Sequence, residues 1–114
     1  VKLAAVLLAL ALTACAAFGA KTPAQRFYAA QGAYTIAVEQ AAVYTASPTA
    51  DPTVVAALRA LDAEAGDVIE VAVRARAFAN ASDRDQALAA AASALDLIAV
   101  KLRLAIAQAA TEEP

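Results

Sequence analysis

Apolar positions follow two kinds of pattern along the chain. Residues 3–12 are an unbroken run of Leu, Ala and Val. From residue 22 onward, apolar positions recur every three or four residues in three long stretches separated by two short polar segments. That spacing marks one face of an amphipathic helix. No segment alternates with period two over a useful length, so strands are not expected.

The first of the three helices is predicted over 23–46. Thr22 can cap it, Pro23 suits the first helical position, and Gln25 completes a Thr-x-x-Gln capping box. Phe27, Ala30, Tyr34, Ala37, Val38, Ala41 and Tyr44 share its apolar face. Pro48 ends it, because the residue before a proline avoids the helical region. Asp51 then caps a second helix, with Pro52 at its first position, predicted over 52–79. Val54, Leu58, Leu61, Ala65, Val68, Ile69, Ala72 and Ala75 or Arg76 line its inner side. Gly66 stands in its middle and is a candidate bend, and Gly32 in the first helix a candidate point of close approach. Asn80-Ala81-Ser82 reads as the second turn, with Ser82 capping a third helix over 83–110. Leu88, Leu95 and Leu102 recur every seven residues, with Ala91, Ala92, Ile98, Ala99, Ala105 and Ile106 between them. Leu97, Val100 and Leu104 widen that face beyond a coiled-coil seam. Residues 111–114 read as a frayed tail.

Helices of similar length joined by short turns favour antiparallel neighbours. The expected fold is therefore all-α, an N-terminal signal helix followed by an up-down-up three-helix bundle over 22–110. Alanine fills 38 of the 114 positions. So many small side chains bring helices close but bury little area each, so the bundle is expected to be marginal and a candidate homodimer.

Composition then limits the chemistry. With one Cys there is no internal disulfide, and with no His there is no zinc site of the Cys/His type and no imidazole base for a Ser or Cys nucleophile. A net charge of −2 with scattered basic residues does not describe a nucleic-acid surface. Asp62, Glu64, Asp67 and Glu70 cluster in the second helix, but Asp96 stands alone in the third, so the reading is a solvated face rather than a metal or acid–base site. Glu70 and Arg74 are placed as an i,i+4 pair. Arg74, Arg76, Lys101 and Arg103 are a candidate basic patch, with ordinary surface charge as the plainer reading. Tyr28, Tyr34 and Tyr44 sit at spacings that suit core or half-buried packing, and a partner-docking face is their alternative use. These features assign no catalytic residue, no metal, no cofactor and no small-molecule substrate, and an enzyme is not expected.

The leader carries the most specific signal. Lys2 precedes the apolar run, which is the layout of a secretory signal peptide. The run meets Leu12-Thr13-Ala14-Cys15, which resembles the bacterial lipobox. The resemblance implies that Leu12, Thr13 and Ala14 are the signal-peptidase recognition positions of a signal peptide over 1–14. It also implies that Cys15 receives diacylglyceryl and acyl groups, with Val1 fitting a translated GUG start. Residues 16–21 then form a tether of at most about 21 Å. The mature chain would carry 8 basic and 11 acidic side chains. Two other readings of the leader are an uncleaved transmembrane anchor and a buried structural helix.

The whole layout is similar to small Ala-rich lipoproteins encoded in phages and prophages of GC-rich bacteria. The likeness rests on the lipobox, Lys21-Thr22-Pro23-Ala24-Gln25, the Tyr-dotted first helix, the restart at Asp51-Pro52-Thr53-Val54-Val55 and the Ala-rich last helix. It implies a location and a fold rather than a mechanism, and the expected role is a lipid-anchored, non-enzymatic interaction module on the periplasmic face of the outer membrane. Its partners would be the bilayer, through Cys15, and an envelope protein or a second copy. Two alternatives within that location are a lysis accessory resembling an outer-membrane spanin subunit and a superinfection-exclusion lipoprotein.

Overall fold

A computed structural model describes residues 22–112. They form three α-helices, α1 (Pro23–Ala46), α2 (Pro52–Ala75) and α3 (Ala81–Glu112), and the described residues contain no strand. The expected signal helix lies outside the described residues.

The start of α1 follows the sequence signal. Thr22 is extended, and its hydroxyl accepts from the Gln25 backbone N–H at 3.1 Å. The Gln25 side-chain oxygen accepts from the Thr22 N–H at 3.2 Å, which closes the capping box. The helix ends at Ala46, where Ser47 turns extended ahead of Pro48. Asp51 caps α2 through its carboxylate, which accepts from the Thr53 N–H at 2.8 Å.

Three boundaries differ from the sequence reading. The second helix stops at Ala75 rather than 79. Its last turn tightens there: the Ala77 and Phe78 N–H groups donate to Arg74 and Ala75 carbonyls three residues back, at 3.1 and 3.0 Å. The chain then starts α3 two residues earlier than expected. Asn80, not Ser82, is the cap, because its side-chain oxygen accepts from the Ser82 and Asp83 N–H groups at 2.9 and 3.2 Å. Asn and Ser are about equal as caps, and Ala81 is an excellent helix former, so the earlier cap extends the helix. The expected frayed tail begins later too, since Thr111 and Glu112 are helical and the Thr111 hydroxyl donates to the Gln108 carbonyl at 2.8 Å.

The turns set the chain directions. The Tyr44 hydroxyl near the end of α1 accepts from the Asp51 N–H at 3.0 Å. At the other end, the Arg76 guanidinium lies 5.2 Å from the Tyr28 ring centroid and 5.9 Å from that of Phe27. So α2 runs antiparallel to α1. The third helix is the element on which both others pack, and α1 and α2 approach each other far less.

The core is a single cluster. Phe27, Leu95, Ile98 and Leu102 are its largest fully buried side chains. Around them sit Ala30, Tyr34 and Ala37 from α1, Leu58, Ala65 and Ala72 from α2, and Leu88, Ala91, Ala92 and Ala99 from α3. From α2 come one leucine and two alanines at a strict seven-residue spacing, so it rests close on α3 with little side-chain volume between them. Both described glycines lie inside unbroken helices, and a Cβ at Gly32 or Gly66 would meet nothing within 4 Å. Gly32 therefore serves no close approach. The widened α3 face is not buried throughout: Leu97 and Leu104 are 54% and 45% exposed.

Candidate functional site

Cys15 and its recognition residues Leu12, Thr13 and Ala14 lie outside the described residues. The nearest described point is Thr22, the cap of α1. It sits at the end of the bundle where α1 begins and residues 76–80 link α2 to α3, as the closeness of the Arg76 guanidinium to the Phe27 and Tyr28 rings establishes.

The three tyrosines have three different surroundings. Tyr34 is buried, and its hydroxyl donates to the Asp62 carboxylate on α2. Burial, followed by that bond and the carboxylate charge, pushes the Tyr34 phenol well above its ordinary range, so it stays a donor at all physiological pH. Tyr44 is half-buried and holds the α1–α2 turn. Tyr28 is 61% exposed under Arg76. The structure therefore gives two of them internal jobs and leaves only Tyr28 open to a partner.

The charged groups are dispersed in the same way. Glu70 and Arg74 form the expected pair at 2.6 Å, on an exposed surface where such pairs stabilise weakly. Arg76 and Arg103, placed together as a candidate patch, are far apart. Arg76 lies at the α2–α3 turn, while Arg103 is 22 residues into α3, about 33 Å along it, and buried. Asp62, Glu64, Asp67 and Glu70 are exposed, with Asp62 bonded to Tyr34 and Glu70 to Arg74. Among the described residues no group of three or more acidic, Cys or His side chains could hold a metal ion.

Asp96, which the sequence shows only as the lone carboxylate of the third helix, has surroundings that its spacing does not reveal. It is half-buried in the middle of α3, and its Oδ1 is buried without a hydrogen-bond partner. Burial raises its carboxyl above the usual range, against a weaker pull downward from Arg26. A lone carboxylate on an apolar helix face is the signal that was available.

Two shallow grooves flank α3. One, about 370 Å³, lies between α1 and α2 over Leu102, with Arg59 and Asp62 at its polar side. The other, about 330 Å³, is lined by Val68, Val71 and alanines of α3. Neither gathers the convergent polar groups of a substrate site. No helix among the described residues is long and apolar enough to cross a membrane. Comparison with protein-family models, with characterised proteins and with solved structures gives no match.

Proposed function

We propose that this protein is a lipid-anchored, non-enzymatic interaction module of the bacterial envelope, of the phage or prophage lipoprotein type. The observation that carries the reading is the apolar run that meets Leu12-Thr13-Ala14-Cys15 directly. Small residues before the Cys let a peptidase approach the backbone, and the thiol is the nucleophile that takes the lipid. Three acyl chains bind far more firmly than the marginal single chain, at about 0.8 kcal/mol per buried CH₂. In this reading the lipid on Cys15 attaches the chain to the outer membrane, facing the periplasm.

The helical part supports a binding role over a catalytic one. Thr22, Asp51 and Asn80 serve as caps, Tyr44 holds a turn and Tyr34 bonds Asp62 across two helices, while Leu97 and Leu104 are left exposed two turns apart on α3. Intact mass of the protein in the membrane fraction tests the reading. The expected mass is residues 15–114 plus diacylglyceryl and acyl groups. Cys15→Ser should leave a larger, unlipidated precursor; an unchanged size and location would refute the lipobox reading.

A further inference from the structure

We propose that the end of the bundle built from the start of α1 and the α2–α3 turn rests on the lipid surface, with Tyr28, Arg76 and Phe78 as the contact. This rests on the lipid-anchor reading and adds an orientation to it. Tyr28 is 61% exposed and Phe78 45% exposed, and the Arg76 guanidinium is held over the Tyr28 ring at 5.2 Å. Aromatic rings with an apolar body, beside a cation, suit the headgroup level of a bilayer. A guanidinium held over a ring by its charge keeps N–H donors available for lipid phosphate.

Chain length points to the same occupant. Thr22 lies at this end, and residues 16–21 reach at most about 21 Å from Cys15. The opposite turn is a further 36 Å or so away along α1, at about 1.5 Å for each of its 24 residues. The exposed aromatic pair is therefore at the end that the lipid holds near the membrane.

Charge separates the two ends as well. Around this end lie Arg26, Arg74, Arg76 and Arg84, balanced by Asp67, Glu70, Asp83 and Asp85. Arg74 is engaged by Glu70, and Arg84 lies 4.0 Å from Asp85. Arg26 acts on Asp96 of α3, so Arg76, over the Tyr28 ring, is the cation that faces headgroups. The remainder of the described chain carries Arg59, Lys101 and Arg103 against Glu39, Asp51, Asp62, Glu64, Asp96 and Glu112. An acidic lipid surface therefore repels the far part and tolerates the near end.

The test uses the lipidated chain in vesicles of phosphatidylethanolamine and phosphatidylglycerol. Cys15 is blocked by its lipid, so a single Ala77→Cys or Thr49→Cys takes a spin label alone; both sites are exposed, one in each turn. The expected result is that the label at 77 is relaxed more by oxygen and less by a water-soluble nickel chelate than the label at 49. Equal aqueous accessibility at both sites, on protein of the lipidated mass, overturns the orientation and leaves the anchor reading standing. An unlipidated mass overturns the anchor reading and the orientation with it. Arg76→Glu combined with Tyr28→Ala, with helicity checked by circular dichroism, should move the label at 77 into water while the mass added by the lipid stays the same. No change in the label's accessibility in a folded double variant would overturn the assigned contact residues.

Discussion

At one end of the molecule the chain reverses through residues 47–51, and at the other through residues 76–80. The first reversal is held by its own residues. The Ser47 N–H donates to the Tyr44 carbonyl at 3.0 Å, the Ser47 and Thr49 hydroxyls meet at 3.0 Å, and Asp51 both bonds Tyr44 and caps α2. Prolines 48 and 52 remove the helical alternative on either side. The second reversal has no proline and no glycine. It is shaped by Asn80 on one side and by Arg76 on the other, and Arg76 finds its aromatic partners nearly fifty residues earlier in the chain. One turn is a local device; the other depends on the packed bundle. Loss of packing should therefore loosen the second before the first.

The largest effect is expected from Phe27→Ala. It empties a fully buried site in the core and removes one of the rings beneath Arg76. The cost is about 3–5 kcal/mol, a large share of the stability of a small domain. Hydrogen exchange should rise first at residues 76–80 and later at 47–51. Simultaneous loss of protection at both turns would show that the ends are equally dependent on the core.

Cap removal compares the turns directly. Asp51→Ala and Asn80→Ala should each cost about 1 kcal/mol. Backbone N–H groups that lose a partner are those of Thr53 in the first case and of Ser82 and Asp83 in the second. Asp51→Ala should leave the prolines holding the first turn, whereas Asn80→Ala should shift the start of α3 toward Ser82. Secondary chemical shifts across residues 80–84 would read that shift, and an unmoved boundary would mean that packing alone fixes it.

A smaller effect, about 0.5–1 kcal/mol, is expected from Arg76→Ala, because an exposed cation over aromatic rings contributes little. Its exchange signature should be confined to the α2–α3 turn. Equal loosening at residues 47–51 would remove the distinction between the ends.

The same contrast explains what the sequence could reveal. The first turn and the whole of α1 are legible because caps, prolines and the 3–4 apolar spacing act within a few residues. The core was legible for the same reason: Leu88, Leu95 and Leu102 mark their own face. The end of α2 was not. Residues 76–79 continue a good helical sequence, and the stop comes from tertiary contacts and from the competing cap at Asn80. Leu97 and Leu104 share a periodicity with the core, yet lie on the side of α3 that neither neighbour covers. Periodicity shows which residues align on a helix, not how wide an arc its neighbours cover. The opposite fates of Tyr28 and Tyr34 depend on where α2 brings Asp62 and Arg76, which spacing within α1 does not encode.

Asp96, midway along α3, gives the control that belongs to neither end. Its buried Oδ1 lacks a hydrogen-bond partner, and burial raises its carboxyl above the ordinary 3.8. The folded chain then holds this proton at pH values where the unfolded chain has released it. Its contribution to stability is most favourable below the ordinary value and declines as pH rises through the raised one. Asp96→Ala removes the buried charge and adds a better helix former. The variant should melt higher than the parent at neutral pH, and the gap should shrink as pH falls through the raised value. Thermal melts of both chains at pH 3 and pH 7 in one detergent measure that gap. A gap independent of pH would mean that the carboxylate is hydrated in the folded state and that only helix propensity separates the two chains. Because Asp96 is half a helix from either turn, the gain should appear equally in hydrogen exchange at residues 47–51 and 76–80.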